Sequence, residues 1–217
     1  MQLAIPSIPP SGYHYSNNIG RIYLQSIRDL LGGPTYAEML TDIGLHQYIR
    51  DLPPNNFEKH FEFAHFSMLT AALEQLQAVN PRNPSLPVEA GRRCFKDALK
   101  SFGALAGFSQ QSLALQVFPL NIKLKLGLQA MAITFNTFSD QRTEVDEQPD
   151  SYVYRILRCP VCWGRHADQP TCIMATGLLA AGLHWITDRE YHITETECCA
   201  VGAQACTLVI DKTPLPE

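Results

Sequence analysis

The sequence predicts an α+β fold in which helices pack on an antiparallel sheet of about four strands. Three observations predict it. Apolar residues recur every three or four positions through most of the first 138 residues. Segments rich in β-branched and aromatic residues, separated by turn residues, fill most of the remainder. One apolar helical stretch is inserted among those strands. Helices first and strands afterwards suit segregated layers, not the alternating units of a parallel sheet.

The elements follow in order. Residues 1–16 are proline-rich and read as an arm. Asn17 or Asn18 is placed to cap a first helix, in which Ile19, Tyr23, Ile27, Leu30 and Leu31 recur at helical spacing before Gly32-Gly33-Pro34 stops it. A short second helix runs from Thr35 to Leu40, with Gly44 punctuating its end. Pro53-Pro54-Asn55-Asn56 breaks the chain. Residues 57–79 read as one long helix through Phe61, His65, Met68, Ala72 and Leu76. Three prolines make 80–87 a loop; 88–106 is a helix ended by Gly107, and 119–138 is the most apolar helical segment. Residues 142–145 and 152–157 read as strands joined by a turn at Pro149-Asp150. A helix over 171–185 and strands over 191–196 and 205–211 complete the prediction.

With 217 residues, 46% of them apolar and 18% charged, the chain can bury a sizeable core. We expect an arm at 1–16, a single domain over 17–217, and a metal-binding part at 159–211. The net charge of −4, with scattered Lys and Arg, gives nucleic-acid binding no electrostatic support. The longest nearly unbroken apolar stretch, 173–186, is too short to span a bilayer, which needs about 20 residues. No secretory pattern opens the sequence, so a cytoplasmic location is expected.

Six of the seven cysteines lie between positions 159 and 206. An odd, clustered set in such a chain argues for metal or redox chemistry over a disulfide framework. Glu195-x2-Cys198-x7-Cys206, with Cys172 upstream, can supply four ligands to a tetrahedral ion if a hairpin closes over a helix start. Single buried cysteines often only pack; three with a glutamate at these spacings favour a metal. Cys159-Pro160-Val161-Cys162 is a second pair. It reads as packing at a strand end, or as part of an iron–sulfur cluster with Cys172 and one of Cys198, Cys199 or Cys206.

Residues 192–210, HITETECCAVGAQACTLVI, resemble the C-terminal signature of 4-vinyl reductase domains: a strand, a Glu, a Cys, a Gly, a Cys and a final apolar strand. Cys172 followed by Gly177 and Gly182 fits as well, and Ile19-Gly20-Arg21-Ile22-Tyr23-Leu24, Leu31-Gly32 and Gly44-Leu45 resemble the family's first helices. The resemblance implies a 4-vinyl-reductase-like domain over 17–217, with a fold distantly like that of vesicle-tethering subunits. It implies zinc on Cys172, Glu195, Cys198 and Cys206, a structural ion with every position filled by protein. It also implies an interior cavity for a hydrophobic small molecule, with a tetrapyrrole such as a chlorophyll precursor as the leading class, and a homodimer. The expected role is an accessory factor in pigment or photosystem biogenesis. The family's aromatic sensors carry tyrosines where Ile193 and Thr176 stand here, so a phenol-type ligand is not implied.

No nucleotide-binding loop, dinucleotide fingerprint or nucleophile elbow is present, and no catalytic residue is assigned. The family name therefore does not make this chain a reductase. His65 reads as a core histidine, His184 and Trp185 as the close of the core or a pocket wall, and His166 and His192 as hydrogen-bond donors to metal ligands. Two other functions compete with the ligand-binding reading: an iron–sulfur redox protein, and a dimeric interaction module without ligand.

Overall fold

The computed structural model describes residues 3, 5, 7–102 and 117–216. Six helices and an antiparallel four-stranded sheet make up its core, as the periodicities predict. Strand β1 (His14–Ser16) leads into α1 (Asn17–Leu31), followed by α2 (Gly33–Asp42), β2 (Lys59–Glu62), α3 (Phe63–Val79), α4 (Leu86–Phe102) and α5 (Leu120–Phe138). The rest is β3 (Arg142–Glu147), β4 (Ser151–Arg158), α6 (Ile173–Thr187), β5 (Tyr191–Glu197) and β6 (Cys206–Pro214).

Three local predictions need correction. Neither Asn17 nor Asn18 caps α1. Ser16 holds the cap position without a side-chain bond, and the amides of Asn17 and Asn18 donate to the carbonyls of Glu58 and Asn56 at 2.8 and 2.9 Å. The first turn is thus satisfied from a neighbouring loop. Residues 57–62 are not helical. Lys59–Glu62 pairs with His14–Ser16, and the Glu62 carboxylate accepts from the Ala64 amide at 3.4 Å, starting α3 there. The helix after the proline-rich loop begins at Leu86, inside the predicted loop. Its predicted end at Gly107 lies outside the described residues.

The larger sheet has the order β3-β4-β6-β5. Side chains alternate across it, so Tyr152, Tyr154 and Ile156 of β4 face inward opposite Ile210, Leu208 and Cys206 of β6. Helix α6 connects β4 to β5 and packs closely on α4. A Cβ added at Gly177 would sit 2.1 Å from the Val88 carbonyl oxygen, and one at Gly91 would sit 2.2 Å from that of Met174. Only glycine permits this crossing. On the other side of the core, Tyr23 stacks on Phe66 with ring centroids 4.1 Å apart and bonds Thr70 through its hydroxyl. No helix among the described residues is long and apolar enough to cross a membrane.

Candidate metal centre

Four pieces of chain converge where the inner faces of β4 and β6 end. Cys159 follows the last residue of β4, and Cys162 lies in the turn beyond, where the Arg165 amide donates to the Cys162 carbonyl at 3.1 Å. Cys172 immediately precedes α6. Cys206 opens β6, and its inward orientation follows from the same alternation that buries Leu208 and Ile210.

Strand β5 supplies the rest through an irregularity. Tyr191, Ile193 and Glu195 share the inward side, and strict alternation would turn Glu197 inward next. The register slips between Glu195 and Glu197, leaving Glu197 exposed and Cys198 fully buried. A bulge of this kind re-aims a side chain. Beyond it a single 3-10 turn and Gly202, at φ 93°, bring the chain back to Cys206.

The resulting distances are short. The Cys172 sulfur lies 3.5 Å from those of Cys159 and Cys206 and 3.8 Å from that of Cys198. Cys206 lies 3.4 Å from Cys162 and 3.8 Å from Cys198. A tetrahedron with metal–sulfur bonds of ~2.3 Å has edges of about 3.8 Å, so these spacings suit thiolates around one ion. The cores of iron–sulfur clusters contain several iron and sulfide atoms and hold their cysteines wider apart. Two groups of four donors are each close enough to hold an ion, every atom within 4.8 Å of the others: Cys172, Glu195, Cys198 and Cys206, and Cys159, Cys162, Cys172 and Cys206.

The four sequence-predicted ligands are therefore brought together. The structure adds Cys159 and Cys162, whose x2 spacing was visible but whose meeting with Cys172 and Cys206 depends on the tertiary fold. Half-buried Cys199 belongs to neither group; its amide donates to the Cys206 sulfur at 3.3 Å.

The electrostatics fit a cation. One Glu195 oxygen accepts from the Cys172 amide at 2.7 Å, while the other is buried without a partner. Burial, then the neighbouring Cys198, pushes the Glu195 carboxyl up to about 8. A carboxylate so deprived of solvent is a ligand awaiting a positive charge. Cys198 rests at about 5: Cys162 pushes it up, and contacts with Cys172 and Cys206 outweigh that. Arg165, paired with Glu74 of α3, carries a fixed positive charge beside Cys162 and Cys172. No local pattern reveals that pair, whose members are 91 positions apart.

The histidines stand elsewhere. His166 and His192 are exposed, and His192 bonds Thr194 rather than a metal ligand. His65 is half-buried against Tyr48, as a core histidine should be. His184 is exposed beside Glu190, whereas Trp185 lines a cavity.

That cavity, of about 90 Å3, lies among α1, α4, α5 and α6. Its lining side chains are apolar apart from Cys94, Thr134 and the Trp185 indole. Burial, then the charge of Asp97, pushes the Cys94 thiol up to about 12, so it lines the wall as a neutral group. A second void of about 30 Å3 shares Ile19, Cys94, Phe135 and Leu178 with the first and extends to Val161, Met174 and Ala175, in the two segments that carry Cys159, Cys162 and Cys172. Among the described residues, no histidine lines either cavity.

With this geometry in place, comparison with known proteins is informative. No curated protein sequence matches the chain. Solved H-NOX structures share its fold. One is an H-NOX protein from S. oneidensis in the Fe(II)NO ligation state, at 12% identity and TM-score 0.54 over 90% of this chain and 99% of that one. Another is a mutant H-NOX domain from Shewanella oneidensis in the Fe(II)CO state, at 14% identity and TM-score 0.51 over 88% and 96% of the two chains. A doubly substituted Tt H-NOX gives 14% and 0.51 over 93% and 97%. Residues 152–212 match the family model of the 4-vinyl reductase domain, a span that contains every donor of both four-membered groups. The chain thus carries, on an H-NOX-like fold, the domain of the 4-vinyl reductase family that its C-terminal sequence resembles.

Proposed function

We propose that this protein is a non-catalytic binding protein for a small hydrophobic molecule, stiffened by zinc on Cys172, Glu195, Cys198 and Cys206. The observation that carries the ligand-binding half is the apolar cavity among α1, α4, α5 and α6. Sites for small molecules are mostly apolar concavities with few polar groups. An apolar cavity of ~150 Å3 accepts benzene, so about 90 Å3 suits a ligand no larger than a single ring. A tetrapyrrole, the class implied by the family, requires α4 and α5 to part. The H-NOX relatives are described in iron-ligated states. The described walls of both cavities offer no imidazole to an iron, which favours a metal-free ligand here.

The metal half is supported by the sulfur spacing and the unpartnered Glu195 oxygen. Zinc there has four protein ligands and no open position, so its role is structural. The spacing weighs against the iron–sulfur alternative, and no residue is assigned a catalytic role.

The same proposal places the single domain over 17–217, in the cytoplasm, as an accessory factor in pigment or photosystem biogenesis. It also includes a homodimer. Ile122, Leu126 and Ile133, all exposed, fall on one face of α5 and offer a surface for a second copy. If that surface is the whole function, the protein is the interaction module considered above, and it binds no ligand.

The test has two readouts. Elemental analysis of anaerobically purified protein should find zinc without iron or sulfide. Titration with a one-ring apolar probe and with a metal-free porphyrin should quench Trp185, and Ala98→Phe should abolish binding without releasing zinc. Binding that ignores Ala98→Phe would remove the cavity from the argument. Iron with labile sulfide would transfer the protein to the redox class.

A further inference from the structure

We propose that the cysteine cluster holds two metal ions rather than one, with Cys159 and Cys162 gripping the second and Cys172 and Cys206 bridging the pair. This rests on the zinc reading above and extends it.

The two four-donor groups share Cys172 and Cys206. Those sulfurs are 3.5 Å apart, which is close to the length of one tetrahedral edge. Each group completes that common edge with two donors of its own. One adds Cys198 and Glu195; the other adds Cys159 and Cys162, 3.5 Å from Cys172 and 3.4 Å from Cys206 respectively. A thiolate keeps unused lone pairs after binding one metal, so an edge of two thiolates can belong to two tetrahedra. A single ion takes four ligands and leaves two of these six donors idle.

Cys159 and Cys162 have the features of ligands. They are 3% and 2% exposed, and their x2 spacing is that of a chelating turn. The Arg165 amide closes this turn on the Cys162 carbonyl, and Gly164 follows at φ 66°. Cys94 shows what a packing cysteine looks like in this fold: it is buried among cavity-lining side chains, outside both donor groups. Two divalent ions would offset four of the six negative charges that five thiolates and Glu195 carry when fully ionised. Arg165 stands beside the group as a further positive charge.

The experiment is a cobalt(II) titration of reduced, metal-free wild-type protein, together with zinc analysis of the protein as purified. Thiolate-to-cobalt absorbance should grow to two equivalents per chain. The cobalt paramagnetic resonance signal should fall as the second equivalent enters, because bridging thiolates couple the ions. Purified protein should carry two zinc ions. Cys159→Ser/Cys162→Ser and Glu195→Ala/Cys198→Ser should each retain one, with unchanged circular dichroism.

Saturation at one equivalent in the wild type overturns the proposal without relying on any variant. If that single ion survives Cys159→Ser/Cys162→Ser and is lost in the other variant, the Glu195 site stands and the second site falls. If the pattern is reversed, both assignments fall.

Discussion

Arg165 ties the cysteine cluster to the helical layer. It is paired with Glu74 and has only 10% of its side chain exposed. Burial alone would raise the Glu74 carboxyl, and the pairing opposes that rise. Arg165→Met should destabilise the protein by about 3 kcal/mol, because Glu74 is left buried and unpaired. Arg165→Met/Glu74→Leu should recover most of that stability in urea melts. Zinc affinity, read by chelator competition, should stay weakened in both variants, since both lose the cation beside the thiolates. Recovery of zinc affinity in the double variant would show that Arg165 acts through packing alone. His65 makes a second prediction. Burial lowers its pKa; Glu62 opposes the effect and His14 adds to it, while Tyr48 bonds its Nδ1 at 3.0 Å. A folded pKa below the unfolded value near 6.5 means that the unfolded chain binds more protons, so stability is lost as pH falls below that value. His65→Gln should reduce the drop in melting temperature between about pH 7.5 and 5.5, the window that brackets the unfolded value. At this scale the sequence shows Cys172, Glu195, Cys198 and Cys206 through their spacing. It is silent on Arg165 and Glu74, because contacts between distant segments leave no local pattern.

Helices α4 and α6 illustrate what an element contributes. Their crossing has room for no side chain at Gly91 or Gly177. Cys172 lies just before the first turn of α6, so the axis of that helix sets where one metal ligand sits. Gly177→Ala should push the helices apart, cost about 2 kcal/mol or more as an overpacked contact, and raise the rate of zinc loss to a chelator. Zinc retention equal to wild type in a folded but destabilised variant would uncouple the crossing from the metal centre. The elements were largely legible because their periodicities differ: three to four residues in α1 and α5, two in β4 and β6. Residues 57–62 misled because Phe57 and Phe61 continue the apolar spacing of α3, whereas pairing with His14–Ser16 claims Lys59–Glu62 for a strand. Periodicity reports burial, and a buried strand leading into a helix can imitate one more turn of it.

Across the whole molecule the two candidate sites share one helix. Cys172 precedes α6, Met174 and Ala175 line the small void, and Leu178, Gly182, Trp185 and Ile186 line the larger cavity. Val161 extends the small void to the turn between Cys159 and Cys162. A ligand that presses on α6 or α4 therefore bears on the sulfur geometry through packed side chains, and removal of the metal frees the N-terminal end of the same helix. Linkage makes this coupling reciprocal: whatever factor the metal adds to ligand affinity, the ligand adds to metal affinity. Stripping zinc from the folded protein should weaken binding of the cavity probe by about tenfold, within the usual range of such couplings. The probe should slow zinc release to a chelator in the wild type and have no effect in Ala98→Phe. Equal probe affinity with and without zinc, in protein whose circular dichroism is unchanged, would mean that α6 keeps its position without the metal and that the two sites are only neighbours. A fall in affinity accompanied by lost helicity would instead assign the metal to folding the C-terminal part, which is the role of a closed structural site.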